Sequence, residues 1–186
     1  TDLAPISADQ FWQDLSHIDI VREQELVKNW TDLLDRELYQ AFKDFWPRAY
    51  EIIGDILIVK LEPEIYEHRE DIVEAMLERI PNVRLVCADN GVTGEFRVRN
   101  LLPISSRDGS IDTLTRIREN GNNILIDPTK AYFSSRLSNE RLGNLDSARG
   151  LAHQLNRKLT ICDPYAGVGP SLANLLCEDG LVDGIL

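Results

Sequence analysis

The chain has 186 residues, of which 43% are hydrophobic and 27% charged, and it carries a formal net charge of −11. That composition suits a soluble core of one domain or two small ones. No uninterrupted apolar run approaches the roughly 18 residues of a membrane helix, and the polar start TDLAPISADQ is no signal peptide. The three cysteines, Cys87, Cys162 and Cys177, lack C-x-x-C spacing and sit among apolar neighbours. They read as reduced core thiols of a cytoplasmic protein. His17, His68 and His153 are scattered, which argues against a metal site, and none is expected.

The acidic total hides an uneven distribution. Residues 1–90 hold 9 Lys/Arg against 20 Asp/Glu, whereas residues 91–158 hold 11 basic against 7 acidic side chains, nine of them arginines. An anion responds to the local field rather than to the sum. The second half therefore allows a nucleic-acid partner, and the arginines fit an ordinary solvated surface equally well.

In chain order, Ser7 to Trp46 reads as helical. Ser7 and Gln10 form a capping-box pattern. Leu26, Trp30, Leu33, Leu34, Leu38, Ala41, Phe42 and Phe45 then make one apolar stripe that ends at Pro47. DILIVKL (55–61) predicts a strand, Pro63 opens a helix with an acidic first turn, and NVRLVCAD predicts a second strand. GEFRVRNLLPI, DTLTRIREN and NNILID predict a short antiparallel set punctuated by SRDGS and NGNN turns. SNERLGNLDSARGLAHQLN predicts a helix capped by Ser138 or Asn139. The last segment, from Leu159, predicts strand, turn, helix, strand: the start of a parallel βαβ unit. The expected organisation is a helical segment at 1–50, a mostly antiparallel α+β unit at 51–128, and the beginning of a Rossmann-like α/β domain at 129–186.

The turn in that last unit, DPYAGVGP, carries the chemistry. Without side chains at Gly167 and Gly169 a ligand can lie against the backbone, and a helix start offers free N–H groups to a carboxylate or a phosphate. It is no P-loop, since G-K-[ST] is absent, and Leu172 stands where a dinucleotide-binding turn has its third glycine. The bland alternative is a tight strand–helix turn that holds nothing.

A strand ending in Asp followed by x-x-A-G-x-G resembles the class I methyltransferases that bind S-adenosylmethionine. With RIRENGNNILID, YFSSRL and NER upstream, the chain from Gly94 onward resembles the archaeal and eukaryotic tRNA (guanine-N1)-methyltransferase family, which acts at position 37 of tRNA. The first fifty residues show no resemblance. The resemblance implies an S-adenosylmethionine cofactor and a tRNA partner held near its anticodon loop. It implies Glu140 as the base for the guanine N1 proton and Arg97, with Arg99 as the neighbouring candidate, as the guanine contact. It assigns Tyr132, Arg141, Asp163, Ala166, Gly167 and Gly169 to the cofactor. The chain departs from the family pattern at Ser135, Pro164 and Ser171, and none of these changes removes a reactive group.

Those roles make chemical sense. Guanine N1 is protonated at neutral pH, so a carboxylate has to take the proton as the methyl arrives, and an arginine can hold O6 where negative charge builds. On the residues alone, Glu140 serves equally as a first-turn carboxylate that stabilises its own helix, and Arg97 and Arg99 as a solvated sheet face. A methyltransferase sheet normally has about seven strands, so the chain is expected to be the N-terminal part of a longer enzyme. By itself it should neither bind the cofactor tightly nor methylate tRNA. Its strand edges should be covered by the remainder of the catalytic domain, as a second chain or by self-association. Rival expectations are a wybutosine-pathway aminocarboxypropyl transferase, a non-catalytic RNA-binding or scaffold module, and a Rossmann-like protein for another nucleotide.

Overall fold

Four strands make the main sheet of the computed structural model, which describes residues 28–95 and 98–186. They are β1 (Tyr50–Ile53), β2 (Ile56–Val59), β3 (Leu85–Thr93) and β4 (Val98–Ser106), in the order β1-β2-β3-β4. β1 and β2 are an antiparallel hairpin, β2 and β3 are parallel, and β3 and β4 are antiparallel. The parallel pair needs a crossover. It is supplied by a 3-10 turn over Pro63–His68 that leads into α2 (Arg69–Arg79). The arginine of the SRDGS turn, Arg107, closes that helix by donating to the carbonyls of Leu77, Ile80 and Val83.

β2 explains why the sheet holds together. All four of its residues are buried, as expected for a central strand covered on both sides. Leu57 and Val59 join Trp30, Trp46, Ile72, Val73 and Met76 on the α2 side. Ile56 and Ile58 join Leu85, Cys87 and Leu101 on the other. Full burial of each such aliphatic side chain contributes about 1.5–3 kcal/mol.

The helical stripe expected up to Trp46 differs from what is found. Its part before Lys28 lies outside the described residues, as do Ser7 and Gln10. From Trp30 the chain makes two short pieces, a 3-10 turn (Trp30–Leu33) and α1 (Arg36–Ala41). Leu34 is extended, and the Asp35 carboxylate accepts from the amides of Glu37 and Leu38, so a new N-cap starts inside the stripe. The aromatics do form a packing face: Trp46 stacks beside Tyr39, meets Trp30 edge-on, and donates from Nε1 to the Tyr39 carbonyl.

The expected antiparallel set is divided. β4 joins β3 in the main sheet, while β5 (Thr115–Glu119) and β6 (Asn122–Ile126) form a separate hairpin. Its inward residues, Ile117, Ile124 and Ile126, cover the face of the main sheet opposite α2. The hairpin lands on the β1–β2 turn. There Thr115 Oγ1 donates to the Asp55 carboxylate (2.7 Å) and accepts from the Asp55 amide (3.1 Å). Arg84 braces the same carboxylate with its Nε at 2.9 Å. Beyond the hairpin come α3 (Ser138–Leu155), β7 (Leu159–Ile161), α4 (Pro170–Leu176) and β8 (Val182–Ile185). β7 and β8 are parallel, as the sequence predicts. Leu145 of α3 packs with Leu159, Leu175 and Leu181 in a third small core. The fold is mixed α/β. Among the described residues no helix is long and apolar enough to cross a membrane.

Cys87 is buried as expected, and burial pushes its thiol up to about 12. Cys162 and Cys177 are exposed rather than in the core.

Gly54 sets the closeness of the hairpin to the sheet. Its φ is +61°, and a Cβ there would lie 2.1 Å from Thr115 Oγ1 and 2.7 Å from the Arg116 carbonyl oxygen. Gly54→Ala should therefore lower stability by about 2 kcal/mol or more in urea unfolding of the chain. An unchanged midpoint would mean that the two layers are not in contact at this turn.

Candidate active site

Alternation along β5 turns Thr115, Ile117 and Glu119 inward and Arg116 and Arg118 outward. A carboxylate thus ends on an apolar face. Asn120 and Gly121, at φ +50° and +85°, form the reversal that Asn-Gly turns favour in hairpins. Burying Glu119 requires a partner, and Arg141 on the first turn of α3 supplies it. Arg141 Nε and Nη2 reach the two Glu119 oxygens at 2.6 Å each, and Nη2 also donates to the Ser134 carbonyl at 2.9 Å. Both side chains are under one-tenth exposed. The guanidinium carbon stands 5.3 Å from the centroid of the Phe133 ring. A fork-on-carboxylate pair with this further bond is the arrangement that offsets desolvation of two charges.

The glycine turn approaches the same place from the other side. After β7, Asp163 Oδ1 accepts from the Tyr165 amide (3.0 Å), Ala166 N–H donates to the Asp163 carbonyl, and Gly169 N–H donates to the Ala166 carbonyl. Gly167 and Gly169 have φ of +57° and +74°, which is the conformational reason for glycine at both. A Cβ at Gly169 would meet nothing within 4 Å, and at Gly167 only the Tyr165 oxygen at 3.9 Å. The outer surface of the turn is therefore open to a ligand. Among the described residues the amides of Gly167 and Val168 find no acceptor. Val168 and Ala173 pack against the apolar cluster that contains Phe133, Ile124 and Ile126. Asn122 Nδ2 donates to Asn174 Oδ1 of α4 at 2.9 Å. The α3 N-terminus and the glycine turn thus meet one shared body, the β5–β6 hairpin with Phe133.

Of the residues that the resemblance singles out, Glu140 is exposed on the first turn of α3, beside Arg141. Tyr132 is 62% exposed in the segment leading to it. Asp163 and Ala166 are half-buried in the turn. Arg141 faces inward, and its Nε and Nη2 are engaged by Glu119 and Ser134, which leaves only Nη1 for another partner. Arg97 lies outside the described residues. Arg99 is paired with Glu51 of β1 (2.5 Å). Ser138, expected as a helix cap, instead directs its hydroxyl to Asn120 Oδ1 (3.3 Å).

The sequence profile of the TYW2 N-terminal domain matches residues 30–104. A tRNA (guanine(37)-N(1))-methyltransferase, Trm5b of Pyrococcus abyssi, is 33% identical over 132 residues, covering 70% of this chain and 37% of the relative. A solved structure described as the complex of aTrm5 and tRNALeu superposes with a TM-score of 0.60 at 26% identity, covering 85% of this chain and 45% of that one. Over the part that aligns, the chain belongs to the tRNA (guanine-N1)-methyltransferase family. A sister activity is also similar: the tRNA(Phe) (4-demethylwyosine(37)-C(7)) aminocarboxypropyltransferase of Pyrococcus horikoshii is 26% identical over 149 residues, covering 80% of this chain and 49% of the relative. The chain spans little more than a third of the length of the methyltransferase relatives. The profile match begins at Trp30, so likeness to the TYW2 N-terminal domain extends into the first fifty residues, where the short local motifs carry none.

Sequence reasoning missed Glu119 and the Asn122–Asn174 contact. The available signal was a charged residue at an inward position of TRIRE, with an arginine 22 residues later at a helix start. It also missed what fixes the loop carrying Tyr132. Asp127 accepts from Thr113 Oγ1 (2.8 Å), from Thr129 Oγ1 (2.6 Å) and from the Thr129 amide (3.0 Å), and pairs with Lys130 (2.8 Å). Burial acts to raise its pKa, and Lys130, Thr129 and Thr113 outweigh burial and hold it down at about 2. A depressed carboxylate contributes stability that is present above its unfolded value near 3.8 and lost as pH falls towards 2. The stability gap between wild type and Asp127→Asn should thus be at most about 2 kcal/mol at neutral pH, because Lys130 is solvent-screened, and close between pH 4 and about 2. Urea titrations across that range check it; a gap constant with pH contradicts the assignment.

Proposed function

We propose that the chain forms the N-terminal part of an enzyme that transfers a methyl group from S-adenosylmethionine to N1 of guanine 37 in tRNA. One observation carries the reading. In a member of this family, the helix start bearing Glu140 and the open glycine turn are tied to the same hairpin. The activity belongs to the enzyme comprising these residues together with the rest of a class I methyltransferase sheet, and it requires no metal.

The residues present fit the cofactor. The turn has two glycines in the left-handed region, free space where side chains would stand, and amides without acceptors. Those amides would hold the carboxylate of the methionine portion, with Asp163, Ala166 and Tyr132 around it. When bound, the cofactor supplies a methyl group on a sulfonium, which carries its own leaving group. The chain's contribution is the proton: the Glu140 carboxylate, exposed and free to approach a flipped base, accepts the N1 hydrogen as the methyl bond forms. Arg97 would hold the guanine O6. Arg99 is held by Glu51 and is the poorer candidate. Arg141 then acts behind Glu140 rather than on the cofactor. The setting implied by a tRNA substrate and three unpaired thiols is the cytoplasm.

Glu140→Gln in the enzyme that carries this chain should lower kcat for methyl transfer by about 100-fold or more, with KM for tRNA little changed. Transfer of labelled methyl to a tRNA transcript with G37 measures it. A kcat within a few-fold of wild type would remove Glu140 from the chemistry.

The second reading, aminocarboxypropyl transfer, has its support in the Pyrococcus horikoshii relative, which is 26% identical over 149 residues. Mass spectrometry of the modified nucleoside separates the two: a methyl increment supports the first, the heavier aminocarboxypropyl increment the second.

A further inference from the structure

The polar residues of the β5–β6 turn reach two parts of the proposed site. Glu119 holds Arg141 on the first turn of α3 through two bonds of 2.6 Å. Asn120 accepts from Ser138, the residue at which α3 begins (3.3 Å). Asn122 donates to Asn174 of α4, the helix opened by the glycine turn (2.9 Å). The turn therefore touches the helix that carries Glu140 and the helix that follows Gly169. β5 and β6 are themselves seated on the main sheet through Thr115 and Asp55, so the turn is rigidly backed.

We propose that Glu119-Asn120-Gly121-Asn122 is a positioning device that sets the distance between the Glu140 carboxylate and the glycine turn, with Glu119 and Arg141 as its main positioning residues. The inference rests on the functional reading above and adds Glu119, Asn120 and Asn122, to which the family resemblance gives no role. α3 has little else to fix its N-terminus. Its buried side chains are Arg141 and Leu145 alone, and no side chain caps its start. Without the Glu119 anchor the first turn can fray or rotate, and Glu140 moves with it. α4 depends on its own bond in a different way. Asn174 is buried, and its Nδ2 has no partner among the described residues. That donor can turn to meet a carboxylate, so Asn122→Asp keeps a hydrogen bond that Asn122→Ala loses.

Two measurements test this. In the chain itself, hydrogen exchange of Glu119→Gln and of Arg141→Lys should speed up about tenfold or more at the amides of residues 138–145, while α2 keeps its protection. In the enzyme that carries the chain, both variants should lose about ten- to a hundredfold in kcat with KM for tRNA within about twofold, as a misplaced catalytic group does. Asn122→Ala should lose kcat in the same way, and Asn122→Asp should restore most of it. Unchanged exchange at 138–145, or a rise in KM with kcat intact, overturns the proposal. If Glu119→Gln also unprotects α2, then Arg141→Lys, which leaves a cation in place, decides. A wild-type enzyme that transfers no methyl group overturns the functional reading alone, and exchange at 138–145 still decides the clamp.

Discussion

A buried carboxylate under the tip of a hairpin governs this structure. Glu119 is turned inward by strand alternation, and a carboxylate buried there needs a hydrogen-bonded partner. Arg141 is that partner, and through it the start of α3 is fixed against the hairpin. Such a pair adds little net stability relative to apolar residues, yet removing one member strands a charge at a cost of about 3–5 kcal/mol. Its consequence is geometric. It fixes where α3 starts, and it turns Arg141 inward and Glu140, its neighbour, out to solvent.

The layers beneath explain why the hairpin can bear that role. β2 is apolar on both faces, so one side of the main sheet takes α2 and the tryptophans while the other takes the hairpin. Gly54 lets the hairpin come close enough for Thr115 to bond both the amide and the carboxylate of Asp55. From sheet to hairpin to helix start there is a continuous chain of short polar contacts and packed aliphatic side chains. Beyond it, the glycine turn leaves the amides of Gly167 and Val168 without acceptors among the described residues, and the Glu140 carboxylate is exposed.

Much of this is written in local sequence. Continuous apolar stretches mark β2 and β6, alternation marks β5, Asn-Gly marks the hairpin reversal, and DPYAGVGP forms the strand-to-helix turn expected of it, with Gly167 and Gly169 at positive φ. The remainder is decided by contacts between distant residues. The stripe before Trp46 has helical period, but Asp35 offers its carboxylate to two amides and restarts the helix, which periodicity does not register. β1 is only four residues long and half exposed, too weak a pattern to stand out. β4 has the same alternation whether it pairs with β3 or with β5, and the choice is made by packing. The pairing of Arg141 Nε and Nη2 with Glu119, 22 residues away, is visible only in the fold.

The most direct test is a crystal structure of the enzyme that contains this chain, bound to tRNA and S-adenosylhomocysteine. It should show a Glu140 carboxylate oxygen within about 3 Å of guanine N1. The amino-acid tail of the cofactor product should lie against the amides of Gly167 and Val168. A guanine seated elsewhere, with Glu140 facing bulk solvent, would contradict the role assigned to this helix start.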